Sequence, residues 1–461
     1  MTGRDQFLGA RVAVAGMGVS GVAVARACRE LGARPTLFEQ QPGDVPEVLA
    51  LTEKLQAQEV DVETGWNGRL DAADFEYLVV SPGFKRDHPC VVDMQGREVL
   101  SEVEFGSRVA EAPILAVTGT NGKSTTVAML YTILRSAGRE AYLCGNISGS
   151  GLPEEPLTSA AMRAPASAYL VAEVSSYQLE FVKTLRPKVA ACTNVTPDHQ
   201  NRHPSFEDYF ETKMRLFDNM AAGDVIVANV DERSVPVSRL RKPMSRGARL
   251  VLVSPKGNGV GENAQIKRTT EKLWIQEDAY PLSELPFYGE HNLANAMMAW
   301  EMARAVSKPT MAAVAGLTTF QGLANRLEFV GKRNGVDVVN NSMCTNPAAV
   351  IASSLAIKSR QHILMGGNTK NLDFSPVARY LENTEDQVYL FGPRQEELNR
   401  MLGGQWPAYN SLKEAFLAAV ASAVAGEVVI LSPGCASSEP FANFRERGDA
   451  FKKIAKEWLG T

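Results

Sequence analysis

The sequence predicts an α/β protein built of three successive parallel-sheet units. Three observations lead there. Apolar strand-like runs alternate with helix-like segments along the chain, as βαβ units require. Two of those runs feed directly into glycine-rich turns that open a helix, at residues 16–21 and 118–125. The chain has 461 residues, which at about 150 per domain holds two to four domains, and three is the reading taken.

The first unit spans residues 1–109. Val12-Ala13-Val14-Ala15 leads into Gly16-Met17-Gly18-Val19-Ser20-Gly21 and a helix-like Val22 to Leu31, the order of a dinucleotide-type βαβ unit. The next strand, Thr36-Leu37-Phe38, ends at Glu39, where a carboxylate meets ribose hydroxyls. Taken alone, this fingerprint fits a redox dinucleotide site, another nucleotide site, or tight helix-to-sheet packing. Tyr77 to Val80 runs into Ser81-Pro82-Gly83, and an acidic helical segment near Glu102-Val103-Glu104 closes the unit.

The second unit, residues 110–321, opens on the strand Ile114-Leu115-Ala116-Val117 and the loop Thr118-Gly119-Thr120-Asn121-Gly122-Lys123-Ser124-Thr125, with a helical Val127 to Leu130 beyond. Such a loop cradles a polyphosphate. Backbone N–H groups turn inward, the lysine reaches the β/γ oxygens, and the serine hydroxyl is placed for Mg²⁺ at the positive helix end. A strict Walker A motif has glycine where this chain has Thr118, and a plain turn with a surface lysine is the bland alternative. The strand Tyr169 to Ala172 delivers Glu173 at its carboxyl end, ahead of Ser175, Ser176 and Gln178. Glu173 is a candidate Mg²⁺ ligand or a capping glutamate. Val189 to Cys192 similarly leads to Asn194-Val195-Thr196-Pro197-Asp198-His199, and His199 reads as ligand or structural histidine.

Ser205 and Asp208 form a capping-box-like helix start, after which Phe206, Tyr209, Phe210 and Phe217 share a stripe that also carries Lys213. A bare ammonium facing inward is costly. It pairs with an anion, snorkels to solvent, or is carbamylated by CO₂ into an anionic oxygen ligand. Asn292 and Asn295, at the start of the helix-like Leu293 to Ala303, are amides that read a purine or hold a loop.

The third unit, residues 322–461, carries candidate strands Val336 to Val339, His362 to Met365, Val388 to Phe391 and Val428 to Leu431. Arg326 brings a guanidinium to a phosphate or forms a surface salt bridge. The strand tips at Asn341 to Pro347, Met365 to Lys370 and Ser432 to Ser437, with Phe441 and Phe444 beyond, all bear small polar side chains. Together they suggest a polar small-molecule site.

Net charge is −4 with both signs dispersed, so neither nucleic acid nor an anionic membrane is an expected partner. The 6 cysteines lie far apart without a C-x-x-C pair, which suggests free thiols and no zinc site. No apolar run approaches the roughly 18 residues of a membrane span, and a cytoplasmic protein is expected.

From residue 11 onward the chain resembles the bacterial Mur ligases. The resemblance rests on residues 16–21, 81–83, 118–125, Glu173 to Glu180, Asn194 to His199, Gly289 to Asn295, Asn325 to Glu328, Met365 to Phe374 and Leu431 to Gly448. It implies a Rossmann-like N-terminal domain for the UDP part of the substrate, a central P-loop-type ATPase, and a C-terminal Rossmann-like domain for an incoming amino acid. The reaction it implies joins D-glutamate to UDP-N-acetylmuramoyl-L-alanine through an acyl phosphate, in a monomer that uses ATP and two Mg²⁺.

Carried over by position, Lys123 and Ser124 handle phosphate and Mg²⁺, Glu173 and His199 ligate metal, and Lys213 is the carbamylated lysine. Gly119 to Thr125, Asn292, Arg326 and Asn341 fall to the nucleotide. Val19, Ser20, Glu39, Gln40 and Asn146 fall to the UDP substrate, Ser437 and Phe444 to the amino acid, and Ser175, Thr345 and Lys370 count as further substrate-binding residues, Lys370 as a stand-in for the cation missing at Met343. Four positions depart from the family's usual pattern. Asn341 stands for an aspartate, Met343 for a lysine that pairs with the amino acid's carboxylate, Asn325 for a histidine and Asn201 for an aspartate. A paralogue adding L-glutamate is therefore the main rival, with an NAD-dependent oxidoreductase and a non-catalytic nucleotide-binding protein as rivals of other classes.

Overall fold

The computed structural model describes residues 3–199, 202–257, 265–282, 285, 289–320 and 322–460. The chain forms two compact units, one of Met1–Leu285 with Asn292–Thr319 and one of Pro286–His291 with Phe320–Thr461.

The first unit contains two parallel sheets. One has five strands in the order Asp61–Thr64, Arg34–Glu39, Arg11–Ala15, Tyr77–Val80, Glu98–Ser101. The sequence reading named its three inner strands, whose apolar runs are buried. It named neither edge strand: Asp61–Thr64 is Asp-Val-Glu-Thr and half open to water, so it lacks the continuous apolar run of a strand covered on both faces.

The other sheet has seven strands in the order Arg249–Val253, Val225–Asn229, Val189–Cys192, Ile114–Thr118, Tyr169–Glu173, Ala141–Gly145, Glu154–Glu155, all parallel. Every residue of Ile114–Thr118 is buried. Its register pairs Val117 with Glu173 on one side and Thr118 with Cys192 on the other. The carboxyl ends of three strands thus lie side by side, where ligands bind in open parallel sheets.

Packing is continuous through the boundary at residues 109–110: Phe7, Phe105, Val109, Ile114, Leu157 and Leu170 belong to one continuous apolar core. Across it, the fully buried Glu104 accepts hydrogen bonds from the backbone N–H groups of Lys183, Thr184 and Leu185, the Thr184 hydroxyl and Arg108 Nε. The parallel pattern expected of residues 110–321 is interrupted. Ile266–Arg268, Lys272–Ile275 and Asp278–Pro281 form a separate antiparallel sheet, whose middle strand alternates exposed and buried residues because one face meets water.

The second unit holds a six-stranded sheet in the order Glu328–Arg333, Val336–Asn340, Val428–Leu431, Gln361–Met365, Gln387–Phe391, Ala408–Tyr409, parallel except for the first pair. That antiparallel pair turns at Asn334-Gly335, both at positive φ (53° and 78°), a hairpin signal present in the sequence. Helix Phe444–Leu459 follows, capped by Asn443, whose side-chain oxygen accepts from the N–H groups of Arg445 and Glu446. No helix among the described residues is long and apolar enough to cross a membrane.

Candidate active site

The loop at 118–125 links the central strand of the seven-stranded sheet to helix Lys123–Ser136. Two glycines shape it. A Cβ on Gly119 (φ 141°) would lie 2.0 Å from Thr193 Oγ1, and one on Gly122 (φ 85°) would lie 2.6 Å from Asn295 Oδ1. Only glycine fits either close approach without strain. The neighbouring strand tip braces the loop: Asn121 N–H donates to Asn194 Oδ1 (3.0 Å), Thr120 N–H to Asn194 O (2.8 Å), and Thr193 Oγ1 to Asn121 O (2.5 Å). Lys123 Nζ folds back onto the carbonyls of Gly119 and Thr120, both at 2.9 Å.

Ser124 is buried, and its hydroxyl donates to Glu173 Oε2 at 2.5 Å, while Asn146 Nδ2 donates to Glu173 Oε1 at 3.1 Å. Two hard oxygen donors at a helix N-terminus beside a phosphate loop suit Mg²⁺. Among the described residues, no three His, Cys, Asp or Glu side chains gather as a ready metal cluster. Any cation here would therefore rely on hydroxyl, phosphate or modified-lysine oxygens as well.

Lys213 is 2% exposed, on helix Phe206–Met214. Its Nζ donates to Gly119 O at 2.8 Å and lies 4.6 Å from the centre of the Tyr209 ring. Burial first, and the Lys123 cation second, bring its pKa down from 10.5 to about 7. The amine is thus largely uncharged just above neutrality, the form that reacts with CO₂. The inward stripe of this helix holds Tyr209, Phe210 and Lys213 and continues to Phe217 in the 3-10 turn that follows, but Phe206 is 46% exposed. It occupies the first helical position, where the stripe reaches the surface.

His199 adopts a left-handed backbone (φ 52°), a conformation that histidine, like asparagine and aspartate, takes more often than other non-glycine residues. Its Nδ1 lies 2.9 Å from the Tyr177 hydroxyl, and its Nε2 lies 3.7 Å from Asp198 Oδ2. Burial lowers its pKa, and the Lys123 cation adds to the effect against Asp198, which favours the neutral imidazole, the form that ligates. Tyr209 Oη is 3.0 Å from Thr120 Oγ1, which ties the lysine-bearing helix to the phosphate loop.

Several residues expected at the substrates also make scaffold bonds. Asn295 accepts from the Thr126 hydroxyl (3.2 Å) and donates to Asn292 Oδ1 (3.3 Å), which links Asn292 to the helix that follows the phosphate loop. Ser175 and Gln178 form a reciprocal capping box on helix Ser176–Leu179. Both oxygens of Glu39 accept backbone N–H groups, from Met17 (2.9 Å) and Gln41 (3.0 Å), and brace the glycine turn. Val19 (76% exposed), Ser20 and Gln40 lie at the same end of the five-stranded sheet. Asn201 lies outside the described residues.

Within the second unit, the three polar strand tips meet around Arg447, which the sequence reading missed. It is fully buried, and its guanidinium donates to Ser342 Oγ (3.1 Å), Ser342 O (2.9 Å), Cys435 O (3.0 Å) and Gly366 O (3.3 Å). Burial lowers its pKa to about 10, and it stays charged at neutral pH. Asn341 is 8% exposed, with its Oδ1 accepting from Leu327 N–H and its Nδ2 donating to Ser432 Oγ. Asn325 Oδ1 accepts from Asn340 Nδ2 at 2.9 Å. Ser437 is nearly buried, Thr345 half-buried and Lys370 exposed, while Phe444 begins the last helix. Arg326 lies in an isolated bridge with Leu323.

A glycine loop, a lysine turned into it and a helix N-terminus at the end of a parallel strand define a nucleotide-dependent enzyme of the P-loop type. The comparisons are more specific. The chain matches the Mur ligase middle domain over residues 117–303 and the Mur ligase, glutamate ligase domain over residues 325–435. It is 35% identical over 456 residues to the UDP-N-acetylmuramoylalanine–D-glutamate ligase of Caldanaerobacter subterraneus, covering 97% of this chain and 98% of that one. The likeness to the enzyme of the same name from Myxococcus xanthus is 35% over 459 residues, with 97% and 98% covered.

Among solved structures, MurF from Acinetobacter baumannii shares the fold at TM-score 0.58 and 15% identity, covering 100% of this chain and 93% of that one. FolC of E. coli, solved with DHPP and ADP, does so at 0.54 and 19%, covering 77% and 93%. The chain belongs to the Mur ligase family and is an ATP-dependent, amide-forming ligase.

Proposed function

We propose that this ligase joins D-glutamate to UDP-N-acetylmuramoyl-L-alanine in the cytoplasm, with residues 1–109 holding the UDP substrate, 110–321 the ATP and 322–461 the amino acid. What carries the reading is the convergence of Lys123, Ser124, Glu173 and Lys213 on one loop, in a chain that aligns end to end with D-glutamate ligases. The loop and Lys123 hold the triphosphate so that its terminal phosphoryl group faces the substrate carboxylate. Transfer makes an acyl phosphate. The amino group then attacks the acyl carbon, and phosphate leaves as the amide forms. Such chemistry needs positioning and charge neutralisation more than a protein nucleophile.

Ser124 and Glu173 would hold one Mg²⁺, and His199 with a carbamate on Lys213 a second. When bound, the cations neutralise charge on the phosphoryl oxygens. The carbamate forms when the uncharged Lys213 amine adds to CO₂, making an N–C bond and releasing one proton to solvent. Met343 leaves the usual cation for the glutamate carboxylate missing from its place. Phosphate release measured with ATP, Mg²⁺ and UDP-N-acetylmuramoyl-L-alanine tests the assignment. Release that depends on D-glutamate supports it, a preference for L-glutamate reassigns the amino acid, and no amino-acid-dependent release overturns the reading.

A further inference from the structure

The Tyr177 hydroxyl lies 2.9 Å from Nδ1 of the His199 ring. The two rings meet edge to face with centroids 4.9 Å apart. A face of the phenol is covered by Arg202, whose guanidinium carbon lies 4.5 Å from the ring centre.

Arg202 is in turn immobilised. Its Nε and Nη2 grip Glu180 at 2.8 and 2.9 Å, its Nη1 donates to Pro82 O (3.1 Å) and Gly83 O (3.2 Å), and its Nη2 also donates to Phe84 O (2.5 Å). All five donors of the fork are used, with only 4% of the side chain exposed. The phenol therefore contacts both a fixed cation and the imidazole.

A ligating imidazole needs its second nitrogen hydrogen-bonded, because that bond fixes both the tautomer and the ring orientation. We propose that Tyr177, clamped by Arg202, is a positioning residue that accepts a hydrogen bond from Nδ1–H of His199 and so presents Nε2 to a divalent cation. The inference rests on the reading of His199 as a metal ligand. The phenol is a neutral partner, so it orients the ring without adding the negative charge that a carboxylate in its place would bring.

Tyr177→Phe tests this, since it keeps the ring and its Arg202 stacking and removes only the hydroxyl. Two readouts are used, with a thermal melt to show that the variant folds. Nitrogen-15 NMR of histidine-labelled, metal-free protein, assigned with His199→Ala, reports the tautomer. Mn²⁺ binding followed by electron paramagnetic resonance reports the cation site. The wild type should show His199 as the Nδ1–H form, and Tyr177→Phe a mixture, with Mn²⁺ bound about 10-fold more weakly. An unchanged tautomer in Tyr177→Phe overturns the proposal, as does unchanged Mn²⁺ affinity where His199→Ala weakens it. If His199→Ala itself leaves Mn²⁺ binding unchanged, the ligand reading fails and the proposal falls with it, by an outcome distinct from failure of the tyrosine alone.

Discussion

Replacing Lys213 with methionine should make the protein more stable while abolishing its activity. The amine's pKa is about 7 in the folded chain against 10.5 ordinarily. At about 1.4 kcal/mol per pH unit, that gap is a penalty of about 5 kcal/mol for the protonated form. The sign follows from proton uptake. Between about pH 7 and 10.5 the unfolded chain binds the extra proton, so the penalty is full below pH 7 and fades as pH rises. Methionine fills a similar volume without the charge, but it forfeits the bond to Gly119 O and the contact with the Tyr209 ring, together worth about 2 kcal/mol. The net gain is about 3 kcal/mol in CO₂-depleted buffer at pH 6.5. Thermal melts should show it as a rise of about 6 °C, shrinking at pH 9. A variant that melts at or below the wild type at pH 6.5 would refute the reasoning.

Lys213→Ala should also be inactive, and added acetate or formate should partly restore phosphate release by supplying the missing carboxylate. Gly122→Ala puts a methyl group 2.6 Å from Asn295 Oδ1 on a left-handed backbone, so the KM for ATP should rise at least 10-fold while the other substrates' KM values hold. Arg447→Met strands the carbonyls of Ser342, Gly366 and Cys435 and should destabilise the second unit by about 3–5 kcal/mol, read by limited proteolysis and melts. Glu104→Gln should cost about 2–4 kcal/mol at neutral pH. Hydrogen bonds from Thr184, Lys183 and Arg108 hold that carboxyl below its ordinary range against burial, so the wild type should lose this contribution only at acidic pH, below the ordinary carboxylate range.

The parts of the fold that could be read from residues alone were those whose physics is local. Ile114–Thr118 and Val189–Cys192 are buried on both faces and so announce themselves as apolar runs, and the glycine loop between strand and helix carries its own signature. Asp61–Thr64 and the antiparallel sheet of residues 266–281 were missed because half-wet strands of three or four residues carry weak patterns. In the site, Lys213 stood out as a charge on an apolar stripe. Arg447 did not, because its partners are carbonyls contributed by three separate loops, a pairing no spacing reveals. Glu39 has a second task that its place at a strand end does not reveal: both its oxygens accept backbone N–H groups, from Met17 and Gln41.

The central claim is that the phosphate loop serves to activate a substrate carboxylate. UDP-N-acetylmuramoyl-L-alanine labelled with oxygen-18 in its carboxylate tests it directly, with the released phosphate analysed by mass spectrometry after a complete reaction with ATP and D-glutamate. An acyl phosphate requires one labelled oxygen in each phosphate. Unlabelled phosphate formed alongside the amide would contradict the account.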